Sequence, residues 1–214
     1  MALRFARKWA RATSESIATS EKYNRQLLQV SHSSGVQFAL FLRGFEEEGK
    51  SIKSFFDMSF SASRLVKATR WIEFEIVNEF ERLNKRVFCI ANPFDTFLLP
   101  GVFRLEAKRE DWLSEVNALA TESEIVVIYV SAISQGLLSE LNLLRYQNLM
   151  NKCVLILQRK ILHQDASLVK DFPIVIIAPS LSRFNQLAFV PRMGRSRFRS
   201  DLRGGIKKTI NAYT

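Results

Sequence analysis

Short, nearly unbroken apolar runs recur along the middle of this chain, with helix-length segments between them. Val36–Leu42, Arg86–Ala91, Glu124–Val130, Cys153–Leu157 and Phe172–Ile177 are each strand-sized. A strand with one wet face alternates apolar and polar residues, so runs of this kind belong to strands covered on both faces. The segments between them carry helical spacing: Trp71, Phe74, Val77 (or Ile76) and Phe80 in 71–83, Trp112, Val116 and Leu119 in 108–121, and Leu137, Leu138, Leu141 and Leu144 in 134–150. Strands alternating with helices predict an α/β domain. The expected architecture is a flavodoxin-like, doubly wound, mainly parallel five-stranded sheet with helices on both faces. A weaker strand signal covers Val102–Leu105, residues 44–70 read as a long loop or insertion, 180–190 are ambiguous, and 200–212 carry a helical signal.

Composition removes other classes. With 47% hydrophobic residues the chain has too much apolar surface to stay disordered. Eight Gly, five Pro and two Cys exclude collagen-like and disulfide-scaffold chains. No apolar stretch is long enough to span a bilayer, and no apolar segment of the secretory-signal kind follows the basic N-terminus. Cys89 and Cys153 sit inside apolar runs and read as buried free thiols, which suit a reducing compartment, so the expected location is cytoplasmic. His32 and His163 are isolated, and no metal site is expected.

The charge divides the chain into three. Of 31 basic and 21 acidic residues, residues 1–35 hold six and two, and residues 191–214 hold seven and one. The flanks are therefore +4 and +6, and residues 36–190, with 18 of each sign, are neutral. The reading is a basic amphipathic N-terminal flank (1–35), an α/β domain (36–190) and a basic C-terminal tail (191–214). Arg4, Arg7, Lys8 and Arg11 share one helix face and Leu3, Ala6, Trp9 and Ala10 the other. With no acid before Glu15, this segment fits a transit peptide, a membrane-surface helix or a docking helix equally well. Both flanks suit nucleic acid, an anionic membrane, an acidic partner or simple solvation, and charge alone does not choose.

In doubly wound sheets ligands bind beyond the carboxyl ends of the strands. That directs attention to Arg43-Gly44-Phe45, Asn92-Pro93 and the stretch from Ser131 to Glu140. No Gly-x-Gly-x-x-Gly, Walker A or Gly-x-Ser-x-Gly sequence is present, so dinucleotide-fold, P-loop and serine-hydrolase readings lack support. Ser134 is a good helix N-cap. Glu140 falls at the border of the Leu137, Leu141, Leu144 stripe. There it is either a carboxylate facing a cleft or a surface glutamate, solvated or paired with Arg145. Arg43 can hold a diphosphate as a bidentate donor or make an ordinary salt bridge. Phe45 and Trp112 can stack on a base or simply pack the core.

Three segments resemble TIR (Toll/interleukin-1 receptor) domains of the prokaryotic type. Phe38-Ala-Leu-Phe-Leu-Arg-Gly-Phe-Glu46 is similar to their opening strand and loop. Glu124-Ile-Val-Val-Ile-Tyr-Val-Ser-Ala-Ile-Ser134 is similar to the third strand and its serine-containing loop, and Leu138-Ser-Glu-Leu141 to the start of the next helix. The likeness covers roughly residues 36–178. It implies an NAD hydrolase with Glu140 as catalytic glutamate and Arg43, Gly44, Phe45, Ser131 and Ser134 as substrate-binding residues. NAD is then substrate, and no cofactor is implied. The products are nicotinamide and ADP-ribose or a cyclised form. A bacterial member is implied to act in antiphage defence, as a homo-oligomer or with a sensor protein. The chain departs from the pattern in having Leu137-Leu138-Ser139 before the glutamate, where Trp or Cys is usual. It also departs in the 44–70 insertion and in Asn92–Gly101. A non-enzymatic TIR-like adaptor shares the same fold. Ser134-Gln-Gly-Leu-Leu-Ser-Glu-Leu141 is also similar to nucleoside deoxyribosyltransferase-like proteins, which implies a nucleoside N-glycosidase with Glu140 as nucleophile.

Overall fold

The computed structural model describes residues 20, 22–29, 37–43, 71–91, 102–108, 110–178 and 192–212. In chain order they form β1 (Phe38–Arg43), α1 (Trp71–Arg82), β2 (Arg86–Ala91), β3 (Val102–Glu106), α2 (Trp112–Glu122), β4 (Ile125–Val130), α3 (Gln135–Tyr146), β5 (Cys153–Gln158), α4 (Arg159–Gln164), β6 (Ile174–Ala178) and α5 (Arg192–Asn211). Residues 22–29 are helical as well. The expected N-terminal amphipathic face, the 44–70 insertion, the 92–101 loop and 180–190 lie outside the described residues.

The fold is α/β, with a parallel sheet flanked by helices. The sheet has six strands rather than the expected five, in the order β3-β2-β1-β4-β5-β6. All five neighbouring pairs run parallel. The sixth is β3, which pairs with β2 from Val87↔Val102 to Ala91↔Glu106. Its sequence signal is weak because it is an edge strand: Val-Phe-Arg-Leu-Glu carries two charged residues and is only partly buried. Its carbonyl oxygens are met by side chains of the 22–29 helix, Asn24 Nδ2 donating to Arg104 O at 2.8 Å and Arg25 Nη2 to Glu106 O at 2.5 Å. Part of the basic N-terminal flank thus serves the sheet edge.

Successive residues of a strand point to opposite faces, and the core divides accordingly. Leu40, Leu42, Phe88, Ile128 and Val130 pack on the face covered by α2, α3 and α4. Ala39, Phe41, Val127, Tyr129 and Ile156 pack on the other, under α1 and α5. Every residue of β1 and β4 is buried, which is why both read as unbroken apolar runs. α1 and α3 each end on an asparagine in the left-handed region, Asn84 at φ 55 and Asn148 at φ 56. The amides of Lys85 and Leu149 return to Phe80 O and Leu144 O at 2.9 Å, closing both helices.

The segment read as a basic tail is α5, and its apolar side, Phe198, Leu202 and Ile206, is part of the core. Two of its arginines clasp buried glutamates of α1. Arg199 donates to both oxygens of Glu75 at 2.5 Å, and Arg203 to both oxygens of Glu79 at 3.0 Å. The Arg203 guanidinium holds the Glu79 carboxyl below the usual carboxylate range. The pairs step together by four residues, so α1 and α5 run parallel and are pinned in register.

Two adjacent glycines in α5 provide a test. A Cβ at Gly205 would stand 3.0 Å from Ile174 Cγ2 and 3.1 Å from Ile176 Cδ1, whereas one at Gly204 would meet nothing within 4 Å. Gly204→Ala should therefore stabilise the protein by ~0.5–1 kcal/mol, the usual helix gain. Gly205→Ala should be less stable than Gly204→Ala, because the Ile174 and Ile176 side chains beneath α5 must give way. Urea unfolding of the two variants checks the order, and equal stability would contradict the close approach.

Candidate functional site

The order of the strands reverses at the centre of the sheet. From β1 the chain goes out to β2 and β3 on one side, then crosses to β4 on the other. The carboxyl ends of β1 and β4 lie side by side, Arg43 opposite Tyr129. This is the switch point at which doubly wound sheets hold ligands.

After β4 the chain turns through Ser131–Ser134 into α3. Ser134 is extended, at φ −123 and ψ 160, and its Oγ accepts the Leu137 amide at 3.1 Å. The expected N-cap is therefore present, and it fixes where the first turn of α3 stands above the carboxyl edge. Ser131, directly after β4, is half-buried.

Glu140 is 1% exposed. It lies inside the apolar stripe of Leu137, Leu141 and Leu144 rather than at a wet border. Among the described residues neither carboxylate oxygen has a hydrogen-bond partner. Arg145, the candidate surface partner, is engaged elsewhere: its Nε donates to Asp171 Oδ2 at 2.7 Å and its Nη1 to Asn142 Oδ1 at 3.2 Å. Burial alone pushes the Glu140 carboxyl up to about 8.

The other buried glutamates are treated differently. Glu75 and Glu79, 7% and 2% exposed, are each clasped by an arginine; Glu124, less buried as a residue, has carboxylate oxygens without a hydrogen bond among the described residues but is ion-paired with Lys85. A buried carboxylate without a partner costs several kcal/mol and is held in its neutral form. Such groups cluster where chemistry is done.

Trp112 opens α2, which packs against α3. It is only partly buried, and its indole rests against the first turn of α3. A Cβ placed on Gly136 would lie 4.0 Å from Trp112 Cη2 and 3.8 Å from Ser134 Oγ. Asn117, farther along α2, has a buried Oδ1 without a hydrogen-bond partner among the described residues. Nothing in the sequence marks Asn117, since a lone amide inside a helix has no spacing signature.

Arg43 is buried at the end of β1. By strand parity it shares the face of Phe41 and Tyr129, the α1 and α5 side, whereas Glu140 belongs to the α2 and α3 side. The two expected site residues therefore converge only over the carboxyl edge, not within one layer. Gly44 and Phe45 lie outside the described residues. Cys153 is buried, its thiol donates to Leu149 O at 3.2 Å, and burial pushes it up to about 12, which removes it as a nucleophile. Among the described residues no group of three His, Cys, Asp or Glu side chains is arranged to hold a metal, and no helix is long and apolar enough to cross a membrane. No protein-family model matches the chain and no curated protein matches it.

The sign of the linkage is fixed by the raised Glu140 value. The fold prefers the neutral carboxyl, so the stability linked to Glu140 is full below about 4.5 and is lost as pH rises through about 8. Glu140→Gln has no such loss. Between pH 5 and pH 8.5 the variant should gain roughly 3–5 kcal/mol relative to wild type, measured by urea unfolding. A difference independent of pH would mean that Glu140 ionises normally in the folded protein.

Proposed function

We propose that this chain is a TIR-like NAD hydrolase that cleaves the N-glycosidic bond to nicotinamide, with Glu140 as its single catalytic carboxylate. The observation that carries the reading is Glu140 itself: a glutamate 1% exposed, bare of partners among the described residues, in the helix that follows the switch-point strand β4. The strand order supports the family reading as well. Without the edge strand β3 it reduces to β2-β1-β4-β5-β6, the flavodoxin-like arrangement.

Glycoside hydrolases use two carboxyl groups because a leaving oxygen needs a proton. Nicotinamide leaves NAD without one. The carbon–nitrogen bond breaks with its electron pair going to the ring nitrogen, which neutralises the ring. Water then adds to the oxocarbenium carbon and gives up a proton, leaving ADP-ribose. The protein needs one negative group beside the developing cation, in a site that excludes water. A desolvated carboxylate is poised for this role, because its charge is unscreened when a cation arrives.

With Glu140 1% exposed, substrate reaches the carboxylate only after the residues that cover it move. That suits an enzyme that is silent as a monomer and active as an assembly, the behaviour the TIR resemblance implies. The proposed setting is a bacterial defence effector that depletes NAD when a sensor drives assembly. Arg43 would meet the diphosphate at the carboxyl edge, from the opposite face.

Chromatographic assay of nicotinamide release from NAD, at high protein concentration with a crowding agent, tests the reading. Wild type should release nicotinamide, and Glu140→Ala and Glu140→Gln should each be slower by ~100-fold or more. kcat/KM should rise with pH and level off above about 8, because the anionic form is the active one. NADH should be spared, since its dihydronicotinamide is not a cation. Release that survives Glu140→Gln would sink the proposal. Glu140-dependent cleavage of nucleosides, with NAD left intact, would replace it with the deoxyribosyltransferase-like reading.

A further inference from the structure

β3 is an edge strand, and among the described residues no strand lies beyond it. Arg104 and Glu106 are two residues apart, so their backbone groups point to the same side of the strand. β2 holds one side, and the helix 22–29 meets the other: Asn24 Nδ2 donates to Arg104 O and Arg25 Nη2 to Glu106 O. Leu27 and Leu28 of that helix are only partly buried against the core, and Arg86 Nη1 donates to Leu27 O at 3.4 Å. Arg25 also reaches Glu115 at 3.5 Å, with side chains 40% and 34% exposed. A short helix held by half-exposed contacts opens before the core does.

The strand beneath it is self-complementary. The Arg104 and Glu106 side chains share one face, opposite Leu105 of the core, and pair along the strand at 3.6 Å. A second β3 turned about a two-fold axis through Leu105 runs antiparallel to the first and sets each Arg104 opposite the Glu106 of its counterpart. These are the residues whose backbone groups face outward, so each opposed pair exchanges both of its hydrogen bonds and adds an Arg–Glu contact across the strands.

We propose that the β3 edge is a docking surface for a second copy of this chain, joined through antiparallel β3 strands into one continuous sheet, and that the helix 22–29 is its guard. The guard's side chains answer the carbonyls of Arg104 and Glu106. A second copy answers carbonyls and amides alike, and adds the cross-strand ion pairs. The guard wins at low protein concentration because it is tethered, and so competes at an effective concentration on the order of mM. The inference is independent of the chemistry at Glu140, since its test reads mass and not cleavage.

The test is sedimentation of the full-length protein across a range of concentrations, with folding followed by circular dichroism. The double variant Asn24→Ala, Arg25→Ala should dimerise with a Kd lower than wild type by ~10-fold or more, the worth of the two guard hydrogen bonds. Where that variant unfolds, Arg25→Ala alone, at a half-exposed position, carries the test with a shift of ~3-fold or more. Adding Glu106→Lys to the guard variant should return it to monomer, because the register then sets Lys opposite Arg. Adding Arg104→Glu instead should do the same, and mixing the two single-sign variants should recover the dimer, because each opposed pair again has opposite charges. The Glu106→Lys arm stands by itself where Arg104→Glu unfolds. A folded guard variant no more associated than wild type would overturn the proposal. So would association that Glu106→Lys leaves unchanged, because it would come from another surface.

Discussion

A parallel sheet covered by helices on both faces leaves few places for a polar group. The interior of this one is apolar on both sides of every central strand, so chemistry is confined to the carboxyl edge and to the helix turns above it. β1 and β4 are the innermost strands, and the strand order reverses between them, the place where doubly wound sheets hold ligands. Ser134 then decides where α3 begins, and through α3 the depth at which Glu140 sits. Two layers of constraint, the sheet and one helix cap, place a carboxylate under the switch point.

Glu140 differs from Glu75 and Glu79 in having no partner among the described residues, and the contrast lies within one molecule. Glu75 and Glu79 lie nearer the surface, and α5 extends two half-exposed arginines to clasp them. Glu124 has Lys85. A similar answer serves another buried charge, Lys152, whose ammonium donates to Thr121 O and Ser123 O at 2.8 Å and so caps the end of α2. Among the described residues Glu140 is the buried glutamate with neither a hydrogen bond nor an ion pair, whereas Glu124 has at least the ammonium of Lys85. Exceptions of this kind are expected where stability has been given up for function.

The core was legible in the sequence because burial on both faces writes itself as unbroken apolar runs, and β1, β2, β4 and β5 are found where those runs lie. Edges were harder. β3 carries Arg104 and Glu106 because one of its sides has no strand beside it, and that polarity weakened its signal. The basic C-terminal segment looked like an appendage because its arginines outnumber its acids locally. The glutamates that neutralise two of them lie more than a hundred residues earlier, on α1, and no local pattern reveals such a pairing. Glu140 was legible as a candidate from its position in the helix after β4, but its isolation was not. Whether a glutamate on an apolar stripe is paired or bare depends on packing in three dimensions. The side of the sheet on which Arg43 falls was legible in principle from strand parity, and it puts Arg43 and Glu140 on opposite faces.

Direct titration of the carboxyl groups addresses the central claim, that Glu140 is kept bare and neutral in the folded protein. With glutamate side chains labelled in the carboxyl carbon, each group is followed by carbon NMR as pH is raised. The account predicts one resonance titrating near 8, absent from Glu140→Gln, with the arginine-held Glu79 titrating below the usual range. A Glu140 resonance that titrates near 4.5 would contradict it, because an ordinary value requires water or a donor at the carboxylate.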